Sequence, residues 1–160
     1  MKTLELALAA LAIAVPASAK GPGPATPVET IVFETGPCFG ACPVYRVTVN
    51  SGGEGTFEGR RFTAVAGTRA FRATPAQYRA FARQLAPLRP RRGTVRYSSE
   101  RCRTMATDLP SAEVTWRSRR GTQTLYFYYG CDMERNRAIA ERLSAAPGLL
   151  PIVDFIRPMP

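Results

Sequence analysis

Four cysteines are the residues of this chain whose chemistry is easiest to specify: Cys38, Cys42, Cys102 and Cys131. A cysteine pair can form a structural disulfide, exchange electrons with other thiols, or bind a soft metal as thiolates. Three pairings of four cysteines exist. The sequence favours Cys38 with Cys42, because that pair is local. It also favours Cys102 with Cys131, which would tie the loop before a predicted hairpin to the end of the hairpin's return strand.

The segment Cys38-Phe39-Gly40-Ala41-Cys42-Pro43 also leaves a thiol-redox or copper function open. Its Cys-x3-Cys-Pro pattern resembles the copper-binding segment of the thioredoxin-fold copper chaperones that serve cytochrome oxidase assembly, and thiolates at this spacing suit Cu(I). Those proteins add a histidine ligand and a parallel βαβ scaffold. Here Met105 or Met133 would have to provide the further soft ligand. A structural disulfide, without metal or cofactor, is the favoured interpretation.

Histidine is absent from the chain. This excludes Ser-His-Asp and Cys-His catalysis, imidazole metal ligands and a histidine pH switch within the chain. The nearest carboxylate pairs, Asp132 with Glu134 and Glu54 with Glu58, fall at a predicted helix start and a strand edge and do not suggest a glycosidase dyad. No catalytic residue is predicted, and a non-catalytic binding or interaction domain is expected.

The formal net charge is +10, which favours anionic partners. Arginine clusters at predicted turns and aromatic residues on a predicted strand are the candidates for a ligand-binding surface, although solvated charge and core packing would explain the same residues. The candidates are Arg60, Arg61, Arg117, Arg119, Arg120, Tyr126 and Tyr128. An anionic component of the cell envelope or another envelope protein is the expected partner, and nucleic acid is not expected.

The N-terminus has the pattern of a signal peptide. Lys2 is followed by an apolar stretch from Leu4 to Val15, which is shorter than the roughly 20 residues that span a bilayer. Ala17-Ser18-Ala19 is the small-x-small pattern of a cleavage site. The sequence therefore predicts cleavage after Ala19 and a periplasmic or secreted protein. Residues 20–29 are predicted to be a Pro/Gly-rich tether, and residues 30–157 a single domain.

The elements that must position these residues follow from periodicity. Two helices are predicted, one after Thr74 as N-cap with Gln77 completing a capping box, and one over about Met133 to Ala145 with Asp132 as N-cap. About six strands alternate apolar and polar residues, and Arg89 to Arg103 is expected to be irregular. The return strand that ends near Tyr129 is apolar on both faces and is expected to lie centrally.

The order β-β-β-β-α-β-β-α predicts an α+β fold. In this fold, an antiparallel sheet carries two helices on one face and is held by the disulfides.

Two motifs resemble an uncharacterised bacterial family, domain of unknown function 6438. The first is Cys38-Phe39-Gly40-Ala41-Cys42-Pro43-Val44-Tyr45, and the second is Ala106-Thr107-Asp108-Leu109-Pro110. The resemblance covers roughly Thr30 to Ile156. It implies a small exported domain and carries no established activity, cofactor or catalytic residue.

Overall fold

A computed structural model describes residues 28–157. The predicted signal peptide and residues 20–27 of the predicted tether lie outside the described residues. The strands are β1 (Thr30–Thr35), β2 (Val44–Asn50), β3 (Glu54–Arg61), β4 (Gly67–Arg72), β5 (Gly93–Tyr97), β6 (Ser111–Ser118) and β7 (Gly121–Tyr128). The helices are α1 (Pro75–Leu85), α2 (Arg137–Ala145) and α3 (Val153–Ile156), with short 3-10 helices at Ala86–Leu88 and Ala146–Leu149.

The strands form one sheet in the order β4-β3-β2-β1-β6-β7-β5. Every neighbouring pair is antiparallel except β5 with β7, which is parallel. The α+β class is confirmed, but the element order has one strand and one short helix, α3, more than predicted, and the sheet has seven strands instead of about six. The additional strand is β5, which lies inside the stretch that the sequence predicted to be irregular.

One face of the sheet is apolar because every long strand alternates. On β2, Tyr45, Val47 and Val49 are buried while Arg46 and Thr48 point to the other face. Their partners on neighbouring strands continue both patterns, so one face packs on the helices and the opposite face carries polar residues. A single register row on this outer face runs Thr56, Thr48, Val32, Thr115, Thr124 and Thr94.

Helix α1 begins as the sequence predicted. The Thr74 side chain accepts a hydrogen bond from the Gln77 backbone N–H, and the Gln77 side chain accepts one from the Thr74 N–H. Phe81 and Leu85 are fully buried, and the Phe81 ring lies edge-on to Phe33 of β1, 6.4 Å away. No helix within residues 28–157 is long and apolar enough to cross a membrane.

Helix α2 begins later than predicted, at Arg137 with Asn136 as its N-cap residue. Asp132 has a positive φ of 41°, so the chain turns there and does not enter a helix. The Asp132 carboxylate accepts hydrogen bonds from the backbone N–H groups of Arg103 and Thr104, at 3.0 and 2.8 Å. The predicted cap residue therefore satisfies the N–H groups of a distant loop instead of those of α2.

Strand β7 is next to the sheet edge and is not central, which corrects the expectation from its two-sided apolar pattern. Leu125 and Phe127 are buried under the helices. On the outer face, Tyr126 lies beneath the Arg96 guanidinium, 4.1 Å from its ring centroid, and the Tyr128 hydroxyl accepts a hydrogen bond from the Leu109 N–H at 3.3 Å. Among the described residues, these two tyrosines are contacted on the outer face by an arginine side chain and by a loop, and not by a second layer of helices or strands.

The chain between α2 and α3 returns to the sheet. Leu150 and Ile152 are buried, and the Phe155 ring packs against Phe57 of β3 with centroids 5.6 Å apart. The Val65 N–H donates to the Phe155 carbonyl at 3.1 Å. The C-terminal apolar segment therefore completes the core beside β3.

Gly130 provides a test of the packing between β7 and the preceding loop. A Cβ at this position would lie 2.1 Å from the Ala106 carbonyl oxygen, whereas a Cβ on Gly148 would meet nothing within 4 Å. We expect Gly130→Ala to lower the free energy of unfolding by more than about 2 kcal/mol, and Gly148→Ala to change it by less than about 1 kcal/mol. Urea unfolding followed by circular dichroism measures both, and equal effects would contradict the close approach.

Candidate functional site

The loop between β1 and β2 is closed by a bond between Cys38 and Cys42. Its base is fixed by Thr35, whose hydroxyl donates to the Pro43 carbonyl at 2.8 Å and accepts from the Tyr45 N–H at 3.0 Å. Phe39 projects from the closed loop with 87% of its surface exposed. The short loop closed by the disulfide therefore presents an aromatic side chain to solvent.

The second bond joins Cys102 to Cys131. Of the three possible pairings, the two observed bonds are the pairing that the sequence favoured. Around this bond, the Ala106 N–H donates to the Gly130 carbonyl at 2.9 Å, and hydrogen bonds from the backbone N–H groups of Thr104 and Arg103 lower the pKa of the Asp132 carboxyl. The loop before β6 and the turn before α2 are therefore held together.

The two motifs of the sequence meet at one end of the sheet. The Phe39 N–H donates to the Asp108 carbonyl at 3.1 Å, the Gly36 N–H to the Ser111 carbonyl at 2.8 Å, and the Tyr129 N–H to the Pro110 carbonyl at 3.1 Å. The first of these contacts joins the two motifs, the second joins residues that flank them, and the third joins the second motif to the residue after β7. The motifs thus build a common wall.

Between this wall and α2 lies a cleft of about 680 Å³, which we call the motif cleft. Its lining is mainly apolar or aromatic, with polar side chains from α2 and its preceding turn. The lining residues are Thr35, Cys42, Pro43, Tyr45, Leu109, Pro110, Ser111, Phe127, Tyr129, Met133, Glu134, Arg137, Ala140, Glu141, Ser144 and Ile156. The first motif contributes three of these residues, and the second contributes Leu109 and Pro110.

Two tyrosine hydroxyls belong to the motif cleft, and both remain protonated at neutral pH. Burial raises the pKa of Tyr45 far above its usual range, and burial also raises that of Tyr129. The Ser144 hydroxyl is 3.3 Å from the Tyr129 hydroxyl and donates to it. Glu134 and Arg137 form an exposed ion pair at 2.6 Å. The cleft therefore offers neutral hydroxyls inside and charged groups at its rim.

Two of the soft ligands considered from the sequence face the same cavity, since Cys42 and Met133 both line the motif cleft. Met105 lines an adjoining cleft that also contains Met133. Within residues 28–157, no three Cys, Asp, Glu or His side chains are grouped as metal ligands are.

The candidate arginines of β3 lie at the strand end nearest the motif cleft. Arg60 pairs with Glu34 at 2.5 Å and with Glu58 at 3.1 Å, so its charge is compensated. The Arg61 guanidinium lies over the Phe62 ring, 5.2 Å from the centroid.

The other candidate arginines lie at the opposite end of the strands. Arg117 stands opposite Thr30 at the start of β1, and Arg119 and Arg120 form the turn between β6 and β7. Arg60, by contrast, pairs with Glu34 near the end of β1. The predicted surface is therefore divided between two ends of the sheet, with Tyr126 and Tyr128 on the outer face of β7.

A different group of arginines does converge, and it was not among the candidates predicted from the sequence. Arg101, Arg103 and Arg135 line a polar cavity of about 350 Å³ together with Asp132. The signal was present in the chain: Arg101 and Arg103 flank Cys102, and Arg135 lies four residues after Cys131. The favoured disulfide, taken as a distance constraint, would have brought the three charges together.

Together, the fold and the clefts define a small disulfide-linked α+β domain with a ligand-sized apolar cleft at one end of its sheet. The model of a family described as a domain of unknown function, DUF6438, matches residues 29–146, which is well over half of the chain. The chain belongs to this family, as its two motifs predicted. No curated protein and no solved structure matches the chain.

The two disulfides differ in the length of chain that they close, with separations of 4 and 29 residues. We expect replacing Cys102 and Cys131 by Ser to cost about 3.5 kcal/mol of unfolding free energy, and replacing Cys38 and Cys42 by Ser to cost about 2 kcal/mol, because the longer ring restricts the unfolded chain more. Equilibrium urea unfolding of the two double variants checks the order, and a larger loss from the Cys38–Cys42 pair would contradict it.

Proposed function

We propose that the domain is an exported, non-catalytic binding module whose motif cleft takes an apolar group of its ligand. The observation that carries this proposal is the convergence of both family motifs with α2 on one cleft of about 680 Å³. That volume lies in the range of small-molecule sites, which are mostly apolar and contain a few fixed polar groups.

Export is supported by the signal-peptide pattern of residues 1–19 and by the pairing of all four cysteines. Disulfides persist in the periplasm and outside the cell, whereas cytosolic thiols are kept reduced. The cleavage site after Ala19 and the periplasmic or secreted location are part of the proposal.

The preference for an apolar group follows from the lining of the cleft. Phe127, Leu109 and Ala140 offer no hydrogen bond to a ligand, and water held against them is released when an apolar group enters. Each Å² of apolar surface removed from water contributes about 25 cal/mol. Phe39, fixed beside the second motif by its closed loop, provides a further exposed apolar contact without a large ordering cost.

The non-catalytic part of the proposal rests on the groups in the cleft. A tyrosine hydroxyl is ordinarily protonated near neutral pH, and burial raises the pKa of Tyr129 further, which makes it a poor base or nucleophile. The chain has no histidine to activate a hydroxyl or thiol. The interior of the cleft offers shape, apolar surface and neutral hydrogen-bonding groups, and its charged groups lie at the rim.

A neutral apolar dye, N-phenyl-1-naphthylamine, tests the cleft. Its fluorescence should rise with the wild-type domain and saturate, and Ala140→Trp should lower the affinity by about ten-fold or more because the indole fills the cleft. Ala138→Trp is the matched control, since Ala138 lies on α2, is exposed and does not line the cleft. Equal affinities of both variants, or no saturable binding by the wild type, would refute the proposal.

The second candidate function is thiol redox or copper handling through Cys38 and Cys42. The specific observation in its favour is that Met133 and Cys42 line one cleft, so a thioether lies on the same cavity as one of the thiols. Reduction of the disulfide by an external dithiol would add two electrons and two protons, and Cu(I) binding would displace the two protons.

Free-thiol titration of protein purified from the periplasm separates this function from a structural disulfide. If the function is correct, Cys38 and Cys42 should be reduced by mild dithiol while Cys102–Cys131 stays oxidised. The reduced protein should bind Cu(I) with a Kd of about 1 μM or lower, weakened about ten-fold by Met133→Leu. Two disulfides that resist the same treatment would exclude it.

A further inference from the structure

We propose that the cavity between Arg101, Arg103 and Arg135 is a binding site for a phosphate-class oxyanion. This proposal concerns a cavity on the other side of the turn before α2 and does not depend on the motif cleft. The cavity has a volume of about 350 Å³ and is lined by Tyr97, Arg101, Arg103, Asp132, Arg135 and Asn136. Its lining is almost entirely polar, in contrast to the motif cleft.

The charge in this cavity is not compensated. Asp132 is its one acidic residue, against three guanidinium groups. Among the described residues, seven arginines lie within 4.0 Å of a carboxylate, and neither Arg101, Arg103 nor Arg135 is one of them. Three guanidinium charges against one carboxylate leave the cavity with a net charge of +2 in a concave site, where field lines concentrate.

Asp132 forms no ion pair with these arginines among the described residues, because its carboxylate is turned to the backbone of the neighbouring loop. It accepts hydrogen bonds from the backbone N–H groups of Arg103 and Thr104 and from the Thr104 hydroxyl, at distances of 2.8 to 3.1 Å. Its function in the cavity is to hold the loop that carries Arg103. The guanidinium donors are left for another acceptor.

The disulfide explains how charges from two distant segments stay together. Cys102 lies between Arg101 and Arg103, and its partner Cys131 precedes the turn that carries Arg135. The Arg101 guanidinium also lies over the Tyr97 ring, 5.5 Å from the centroid. Three like charges repel one another, so a covalent link that keeps their backbones close prepares the site before an anion arrives.

The start of α2 adds to the same field. Asn136, the N-cap residue, lines the cavity, and its side chain donates to the Cys131 carbonyl at 2.9 Å. The N-terminus of a helix carries partial positive charge and N–H groups without intrahelical partners. Only the cap residue lines the cavity, so the helix end adds to its positive field from nearby without lining it.

The chemistry favours a doubly charged oxyanion over a single carboxylate. Guanidinium groups donate in a planar fork that matches phosphate oxygens, and arginine pairs with phosphate are often bidentate. Two uncompensated positive charges match the charge of a phosphate group near neutral pH. The phosphate is either free, with close to two negative charges, or the phosphodiester of a lipid headgroup, with one, and the guanidinium fork fits the phosphate oxygens of both.

Isothermal titration calorimetry of the whole domain with inorganic phosphate measures the dissociation constant and tests the site. The variant Arg101→Gln/Arg135→Gln should bind about ten-fold or more weakly than the wild type. Arg119→Gln/Arg120→Gln removes the same charge from the turn between β6 and β7 and should change the affinity by less than about two-fold. Raising NaCl from about 20 to about 200 mM should weaken wild-type binding, because screening reduces the attraction.

Equal losses in the two double variants would overturn the site, since only net charge would then matter, and so would the absence of saturable binding at low salt. Thermal unfolding followed by circular dichroism verifies that each variant is folded. If the double variant does not fold, Arg135→Gln alone, at an exposed position, replaces it.

Sedimentation with phosphatidylglycerol vesicles identifies the source of the anion. Vesicle binding that the Arg101→Gln/Arg135→Gln variant loses assigns a lipid headgroup, and phosphate binding without it assigns a free phosphate compound.

Discussion

The bond between Cys102 and Cys131 is the constraint on which the end of the domain that carries both proposed sites depends. It joins the loop before β6 to the turn before α2, two irregular segments. Asp132 adds hydrogen bonds across the same junction. With this junction fixed, α2 forms one wall of the motif cleft, and the same turn separates that cleft from the arginine-lined cavity.

The sheet allows this arrangement because the helices cover only one of its faces. Helices α1, α2 and α3 cover the apolar side, where Trp116, Phe57 and Phe81 fill the core. The core is filled by residues of the sheet and the helices. The loops at the end of β1 and before β6 therefore do not have to contribute to it. A rigid scaffold with irregular connections at one end is the usual way in which folds present binding groups. Both proposed sites follow this rule.

Local signals in the sequence predicted most of the architecture. The capping box of Thr74 and Gln77 was correct because its partners lie three residues apart. Strand β5 was missed because Gly93–Tyr97 is a short edge strand with Arg96 exposed, so only its pairing with β7 identifies it. Asp132 was misassigned for a related reason: its carboxylate serves a loop 28 residues away. The predicted arginines lie at two ends of the sheet instead of on one surface. Their positions depend on the register across four strands, and no local sequence pattern encodes that register.

The row of threonines across the outer face has a consequence for how the domain meets its surroundings. Five of the six side chains in that row are threonine, and the hydroxyls of Thr115 and Thr124 lie 3.2 Å apart. Each residue presents a β-branched carbon that suits a strand together with a hydroxyl that water can bond. The solvent-facing side of the sheet therefore has residues that favour strands, and it does not form an exposed apolar surface that would promote association. The face of the sheet that the helices do not cover can therefore remain hydrated. Valines in the same row would instead favour packing against another sheet.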